Sequence, residues 1–354
     1  MRKVLLSMIT PEMKLAKSTY HENSMLLVAG TNRLNRFIPW LASYGITALY
    51  VEDEVSEGIE IPDAITEETR CKCKTALQGV LQSVQADGSF STGAISGVVD
   101  SLLEDILNRP DVLISLNDIG TTDDMTLVHS VNTTVFALLL GQRMDLSVPM
   151  LQKLAEGTLL HDIGKTILDS KILYKPGRLN AEEFEHVKRH TTLGYEILKC
   201  NPLMTELPRL VCLQHHERLD GSGYPNALHS EEIHVFSKIA AIADMYDAIT
   251  SERCYHHAIS NRSAVNILMR DSVTKIDPEL LALFIQNIAI YPNGTIVYLS
   301  DGTHGIVKAQ NQSMPHRPVV RVIDDREGIG NVKKLHDVDL METLNLTITD
   351  EDEP

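Results

Sequence analysis

The sequence predicts a multidomain protein with an all-α helical bundle core, a small α+β N-terminal domain and a small β C-terminal domain. The chain has 354 residues, which is longer than one typical domain. Residues 111–290 follow a helical pattern almost throughout, whereas short apolar runs typical of strands occur on both sides of this region. The content of 43% hydrophobic and 23% charged residues is that of a globular protein with an ample core.

Residues 1–60 predict the small α+β domain, for which a regulatory role is the hypothesis. The compact apolar runs at residues 25–30 and 46–51 predict strands. Residues 35–43 predict one helix, and Tyr44-Gly45 predicts the turn that follows it.

Residues 61–110 predict a helical linker made of two helices. Thr66 is a suitable N-cap for the first helix, because Glu67 and Glu68 then occupy its first turn. A polar break at residues 87–89 precedes the second helix, which is expected to end near Asn108. Two interpretations stay open: a connecting or dimerising element, which would favour a homodimer, and ordinary packing onto the next domain.

Residues 111–290 predict the helical core, and residues 291–354 predict the small β domain. Runs of alternating apolar residues at 295–299, 305–307 and 318–323 are separated by turn signals such as Asp301-Gly302, a pattern typical of hairpins. The acidic residues 350–352 are expected to be frayed and solvated.

The net charge of −16 argues against binding to polymeric nucleic acid and to anionic membranes. The longest apolar run, residues 135–140, is far shorter than the roughly 20 residues that cross a bilayer. The N-terminus has no convincing signal peptide, and an odd number of cysteines, five, suits a reducing compartment. A cytoplasmic location is therefore expected.

Three clusters of histidine and aspartate lie within the helical region. A single buried histidine is usually a satisfied core residue, but adjacent imidazoles and carboxylates are costly to bury without partners or a metal. The clusters are His161-Asp162-Ile163-Gly164-Lys165, then His215 to Pro225, which reads His-His-Glu-Arg-Leu-Asp-Gly-Ser-Gly-Tyr-Pro, and Asp244-Met245-Tyr246-Asp247.

These clusters predict metal-assisted phosphodiester hydrolysis. Zinc, iron and manganese accept imidazole nitrogen together with carboxylate oxygen, and a bridging carboxylate can hold two ions. Such a pair activates a water and clamps a phosphate. Lys165 follows His161 by four residues, so its charge is expected near the same helical face, where it would suit a phosphoryl oxygen.

Residues 125–290 resemble the HD-GYP family, a branch of the HD metal-dependent phosphohydrolase superfamily. His161-Asp162-x-x-Lys165 is similar to its HD element, and residues 215–225 are similar to its extended GYP element residue by residue. Residues 244–253 are similar to the segment that follows in the family. The resemblance implies a helical bundle enclosing two or three metal ions, and a bacterial signalling enzyme that hydrolyses cyclic di-GMP to linear pGpG or GMP.

Carried over by position, the resemblance implies two sets of metal ligands that share Asp162. One ion would be held by His129, His161, Asp162 and Asp244, and the other by Asp162, His190, His215 and His216. Iron and manganese are both chemically reasonable. Asp162 would bridge the ions, with a hydroxide between them attacking phosphorus.

The same resemblance implies substrate contacts by Lys165, Asp247 and Arg253, with Tyr224 shaping the loop. Lys165 would also neutralise charge that develops in the transition state. The GYP loop of the family implies diguanylate cyclase domains as partners, beside cyclic di-GMP itself.

Two departures from the family pattern affect these expectations. Members with three metals carry a Glu four residues before the first ligand histidine, where this chain has Met125, so two divalent ions are predicted. The family's Arg-Pro-Tyr-Arg is replaced by residues 253–256, Arg-Cys-Tyr-His, which weakens the case for a second basic contact. Two alternatives stay open: a receptor that binds cyclic di-GMP with little catalysis, and an HD hydrolase of another cyclic dinucleotide.

Overall fold

The structure of the protein is a computed structural model that describes residues 1–21, 24–109, 125–251, 259–324 and 334–351. Within these residues, no helix combines the length and the apolar character needed to cross a membrane.

The N-terminal part is a three-stranded antiparallel sheet with a neighbouring hairpin and one short helix. The sheet has the order β1-β5-β2, and β3 pairs with β4 in the hairpin. Its core is formed by apolar side chains from the sheet and the helix, among them Leu15, Leu41 and Leu49. The elements are β1 (Arg2–Leu5), β2 (Lys14–Leu15), β3 (Thr19–His21), β4 (Ser24–Leu27), α1 (Ile38–Ser43) and β5 (Ala48–Glu52).

The central part of the chain is helical. Its elements are α2 (Glu67–Asp87), α3 (Thr92–Leu107), α4 (Met125–Arg143), α5 (Val148–Leu159), α6 (Ser170–Leu173), α7 (Ala181–Lys188), α8 (His190–Cys200), α9 (Glu206–Gln214), α10 (Val235–Thr250), α11 (Asn261–Asp271) and α12 (Pro278–Gln286). One hydrophobic core runs from Ala64 to Ile288 and includes side chains of both α2 and α3. The two helices therefore pack onto the helical core, as in the second interpretation of residues 61–110.

Local signals in the sequence define where several helices begin. Thr66 caps α2 by accepting a hydrogen bond from the Thr69 amide at 3.2 Å, as predicted. The second helix of this pair ends at Leu107, next to the predicted boundary at Asn108. Asn180 and Glu183 form a capping box at α7, with both bonds at 2.8 Å.

The C-terminal part is a five-stranded antiparallel sheet with the order β10-β6-β7-β8-β9. The strands are β6 (Ile296–Leu299), β7 (His304–Ala309), β8 (Val319–Asp324), β9 (Lys334–Asp339) and β10 (Ile348–Glu351). The first three were predicted. The expectation that residues 350–352 are frayed is wrong for Asp350 and Glu351, which pair with Tyr298 and Val297 of β6; Asp352 lies outside the described residues.

The segment that follows β5 joins the two terminal sheets. Ile59 packs with Ile306 and Ile323 of the C-terminal sheet. Arg321 of β8 donates to the backbone carbonyls of Val55 and Glu57. The segment at residues 55–59 is therefore in contact with the C-terminal sheet.

Candidate metal centre

Seven histidine and aspartate side chains converge in the interior of the helical core. They come from separate segments that pack against one another: His129 in α4, His161 and Asp162 just after α5, His190 at the start of α8, His215 and His216 just after α9, and Asp244 in α10. All are buried except His216, which is partly exposed.

The donor atoms of these side chains form two groups. His129, His161 and Asp162 make one group, and His190, His215 and His216 make the other; in each, the donor atoms lie within 4.8 Å of one another. Each group contains three of the four members of one ligand set expected from the sequence: Asp244 is missing from the first group and Asp162 from the second. The role of these residues as ligands stays a prediction.

Asp162 lies between the two groups. Its Oδ1 is 3.4 Å from Nε2 of His190 and 3.9 Å from Nε2 of His215. Its Oδ2 is 3.4 Å from Nε2 of His161 and 3.9 Å from Nε2 of His129. Each carboxylate oxygen thus faces a different group, which is the arrangement that a bridging ligand requires.

Asp244 also lies between the groups. Its Oδ1 is 3.1 Å from Nε2 of His129, and its Oδ2 is 3.9 Å from Nδ1 of His216. The two aspartates therefore face the centre from different elements, one after α5 and one on α10.

Backbone carbonyls orient three of the imidazole rings. Nδ1 of His161 lies 2.6 Å from the Thr158 carbonyl, Nδ1 of His190 lies 2.7 Å from that of Val187, and Nδ1 of His215 lies 2.9 Å from that of Cys212. A carbonyl only accepts, so each Nδ1 carries the proton. Each Nε2 then presents a lone pair to the centre, as in metal sites.

Asp247 orients the fourth ring, His129. Its Oδ2 lies 2.6 Å from Nδ1 of His129, while its Oδ1 accepts from Asn132 at 2.9 Å and from Ser251 at 3.0 Å. The Asp247 side chain is only 2% exposed. This position behind His129 does not suit the direct substrate contact that was expected of Asp247.

The residues fit a divalent cation. Nε2 of His161 and Oδ1 of Asp162 are buried without a hydrogen-bond partner, and both face the centre. Unpaired buried polar atoms are costly, and a cation that accepts their lone pairs would remove that cost. A mixed set of imidazole and carboxylate donors suits iron, manganese and zinc.

The pKa values favour the protonation states that bind metal. Burial lowers the pKa of His190 to about 4 and that of His216 to about 3. Burial acts to raise the pKa of Asp162, but the charges of Lys165 and His161 outweigh it and hold that pKa well below its usual value. At neutral pH His190 and His216 are therefore neutral and the Asp162 carboxylate is charged.

Glu217 fixes the loop that follows the histidine pair. Its buried carboxylate accepts hydrogen bonds from the amides of Asn226 at 2.7 Å and Leu228 at 3.0 Å. Gly221 has a φ of +76°, which favours glycine. Gly223 serves close packing, because a Cβ there would lie 2.3 Å from the Arg218 nitrogen.

The remaining predicted site residues line the edge of the centre. The Tyr224 ring stacks on His216 with centroids 4.7 Å apart, and Nζ of Lys188 lies 5.5 Å from the Tyr224 centroid. Nζ of the partly exposed Lys165 lies 2.5 Å from Oδ2 of Asp162. Arg253 and the side chain of Met125 lie outside the described residues.

The sequence interpretation missed the roles of Asn132 and Glu217. Asn132 follows His129 by one helical turn, which indicates a shared face, but only the position of α10 shows what it binds. Glu217 was noted as part of the motif without a function. Its buried carboxylate explains why an acidic residue stands there.

Comparisons with known proteins match two regions of the chain. Residues 102–280 match the HD domain family, and residues 296–354 match a KOW domain associated with HD domains. The second match includes all five strands of the C-terminal sheet.

Three curated relatives are similar to this chain over 48% to 71% of its length. A cyclic di-GMP phosphodiesterase of Pseudomonas aeruginosa is 34% identical over 251 residues, 71% of this chain and 60% of the relative. A cyclic di-GMP phosphodiesterase of Borreliella burgdorferi is 33% identical over 56% of this chain and 52% of the relative. A 3′3′-cGAMP-specific phosphodiesterase of Vibrio cholerae is 35% identical over 48% of this chain and 36% of the relative. The chain spans at most 60% of each of these relatives.

Proposed function

The chain belongs to the HD-GYP family of the HD superfamily, and from this premise we propose that it is a metal-dependent phosphodiesterase that hydrolyses cyclic di-GMP. The products would be pGpG, GMP or both. The observation that carries the proposal is the position of Asp162, whose two oxygens face two separate groups of buried histidines.

We infer that two divalent ions, iron or manganese, occupy the centre. His129, His161, Asp162 and Asp244 would hold one ion, and Asp162, His190, His215 and His216 the other. Ions held in this way polarise a phosphate oxygen and lower the pKa of a nearby water. The two groups of three donors support two sites among the described residues.

The protein's own side chains would orient the ligands and bind the substrate. The carbonyls behind His161, His190 and His215 fix each Nε2 toward the centre. Lys165, at the edge of the centre, would neutralise charge on a phosphoryl oxygen. Tyr224 would close one side of the site against His216. Arg253 remains a proposed contact on the strength of its position in the motif.

The choice of cyclic dinucleotide has a specific alternative. A relative named for 3′3′-cGAMP shares 35% identity with this chain over 169 residues, so a hybrid cyclic dinucleotide is a second candidate substrate.

Docking of diguanylate cyclase domains on the loop at residues 215–225 is a further proposal from the family resemblance.

The test is hydrolysis by the full chain, purified without oxygen and reconstituted in turn with ferrous iron and manganese. Cyclic di-GMP and 3′3′-cGAMP are offered in parallel, and bound metal is counted per chain. We expect about two metals per chain and conversion of cyclic di-GMP. His190→Gln should lose metal and activity, whereas the matched control His304→Gln, in the C-terminal sheet, should keep both.

Other outcomes would change the proposed substrate or the proposed activity. Faster turnover of 3′3′-cGAMP would make that nucleotide the substrate. Tight binding of cyclic di-GMP by metal-loaded protein without hydrolysis would indicate a receptor. A chain that takes up no metal would overturn the proposal.

A further inference from the structure

Helix α2 carries a buried cation, Arg70, although it lies before the region that matches the HD domain family. The Arg70 side chain is 7% exposed and lies 3.6 Å from the more exposed carboxylate of Glu67. Its guanidinium donates to Oδ1 of Asn132 on α4 at 3.2 Å. An arginine is rarely buried to this degree unless its donors are used.

The contact continues to the metal centre through buried side chains. Nδ2 of Asn132 donates to Oδ1 of Asp247 at 2.9 Å, and Oδ2 of Asp247 lies 2.6 Å from Nδ1 of His129. Nε2 of the same ring lies 3.1 Å from Asp244. Asn132 and Asp247 are each 1% exposed, so water does not compete for these bonds.

We propose that Arg70 is a positioning residue for the metal ligand His129, acting through Asn132 and Asp247. The inference rests on the proposed metal centre. It adds a residue of α2 to the set of side chains that determine the geometry of that centre.

Arg70 fixes which way the Asn132 amide points. Arginine has no acceptor, so the amide atom that faces it must be Oδ1. Nδ2 then faces Asp247, whose ionised carboxylate only accepts hydrogen bonds. A reversed amide would place an oxygen against the carboxylate. The carboxylate in turn keeps the proton on Nδ1 of His129, which leaves Nε2 as the ligand atom.

The hydrogen bonds that lead from Arg70 through Asn132 and Asp247 to His129 form a relay. This relay makes the geometry of the ligand His129 depend on the position of α2. The amide of Thr66, the N-cap of α2, donates to Asp105 of α3 at 2.7 Å. Upstream of that cap lies the segment that contacts the C-terminal sheet. A shift of α2 would therefore move Asn132 and loosen the restraint on His129.

The test is the dissociation constant of the full chain for manganese, measured by competition with a chelator. Arg70→Met keeps most of the volume and removes the donors, and it should raise the constant about 10- to 100-fold. Arg70→Met combined with Asn132→Ala should be no weaker than Asn132→Ala alone, because the second change breaks the same relay.

Leu77→Ala is the matched control. It removes a buried side chain of the same helix that takes no part in the relay. It should lower the unfolding temperature of the metal-free chain and leave the dissociation constant unchanged.

Three results would overturn the relay: a wild-type dissociation constant in Arg70→Met, additive effects in the double variant, or an equal loss of affinity in Leu77→Ala. A wild-type chain that binds neither manganese nor ferrous iron would overturn the proposed function as well. Manganese binding without hydrolysis would overturn the phosphodiesterase proposal alone, and the dissociation constants would still decide the relay.

Discussion

Asp162 faces both groups of histidines, with each of its oxygens near two imidazole rings of one group. Asp247, in contrast, touches one ring from behind. These positions predict different consequences for the same chemical change, the loss of one carboxylate charge.

Asp162→Asn should abolish hydrolysis and lower metal affinity by more than Asp247→Asn. Removing an outer partner of a ligand typically costs about 10- to 100-fold in affinity or activity, which is the loss expected for Asp247→Asn. Metal per chain after dialysis and the rate of cyclic di-GMP hydrolysis measure both effects. Hydrolysis at the wild-type rate by Asp162→Asn would contradict the bridging role.

The buried histidines predict a pH dependence of stability. The pKa of His190 is lowered from its usual 6.5 to about 4, and that of His216 to about 3. The unfolded chain therefore binds more protons below pH 6.5 than the folded chain does, so the metal-free protein should lose stability as pH falls from 6.5 toward 4. Asp162 and Asp244, with lowered pKa values, contribute only at lower pH, below their usual 3.8.

Thermal unfolding of chelator-treated protein between pH 7 and pH 5 measures this effect. His190→Gln should show a smaller decrease in unfolding temperature than the wild type across that range. His304→Gln should follow the wild type. An equal decrease in all three proteins would show that His190 is not responsible.

At the scale of single residues, clustered histidines and aspartates identified His161, Asp162, His215, His216 and Asp244 as candidate ligands, whereas His129 and His190 were implied only by the family resemblance. The sequence did not reveal the contact of Asp247 with His129, because the family resemblance implied a substrate contact for Asp247 instead. Its actual neighbours, His129 and Asn132, are more than 100 residues earlier in the chain. Only the packing of α10 on α4 brings them together.

At the scale of elements, Gly164 allows the turn after α5 to lie directly against α8. A Cβ at this position would be 1.9 Å from the His190 carbonyl oxygen and 2.6 Å from the Gly194 nitrogen. Both are backbone atoms, so the whole helix would have to move. The start of α8, which carries His190, would move with it.

Gly164→Ala should therefore destabilise the protein by about 1–3 kcal/mol or more and weaken manganese binding. Gly97→Ala is the control, since Gly97 lies in α3 with no atom within 4 Å of its added Cβ. It should stabilise the chain by about 0.4–1 kcal/mol. Denaturant unfolding measures both changes, and equal stability of the two variants would contradict the packing argument.

Helix boundaries were predictable where a capping residue directly precedes a segment with the apolar periodicity of a helix, as at Thr66. Strands β9 and β10 were missed because their sequences, KLHDVD and ITDE, carry charged residues and no clear alternation. Their structure comes from pairing with β8 and β6, and β6 is far from β10 in the sequence. Tertiary pairing of this kind overrides local propensity.

At the scale of the whole molecule, the order of parts follows the sequence pattern: a sheet, a helical core and a second sheet. The division at residues 60, 110 and 290 stays a prediction. The contact of Arg321 with the carbonyls of Val55 and Glu57 joins positions more than 260 residues apart, and no local sequence pattern predicts this contact. A single arginine in a strand carries no information about such a partner.

The ligand set extends from His129 to Asp244, so bound ions would tether segments that are far apart in the chain. Binding only to the folded state raises the free energy of unfolding by about 2.7 kcal/mol at a metal concentration 100 times the dissociation constant. The unfolding temperature should therefore rise steadily with the logarithm of manganese concentration, and His190→Gln, which lacks one ligand of the second ion, should reduce this rise. A midpoint that does not respond to manganese would contradict the tether. If bound ions do tether these segments, the abundance of the protein in the cell should follow metal supply. Chains left without ions would unfold more often and be degraded first.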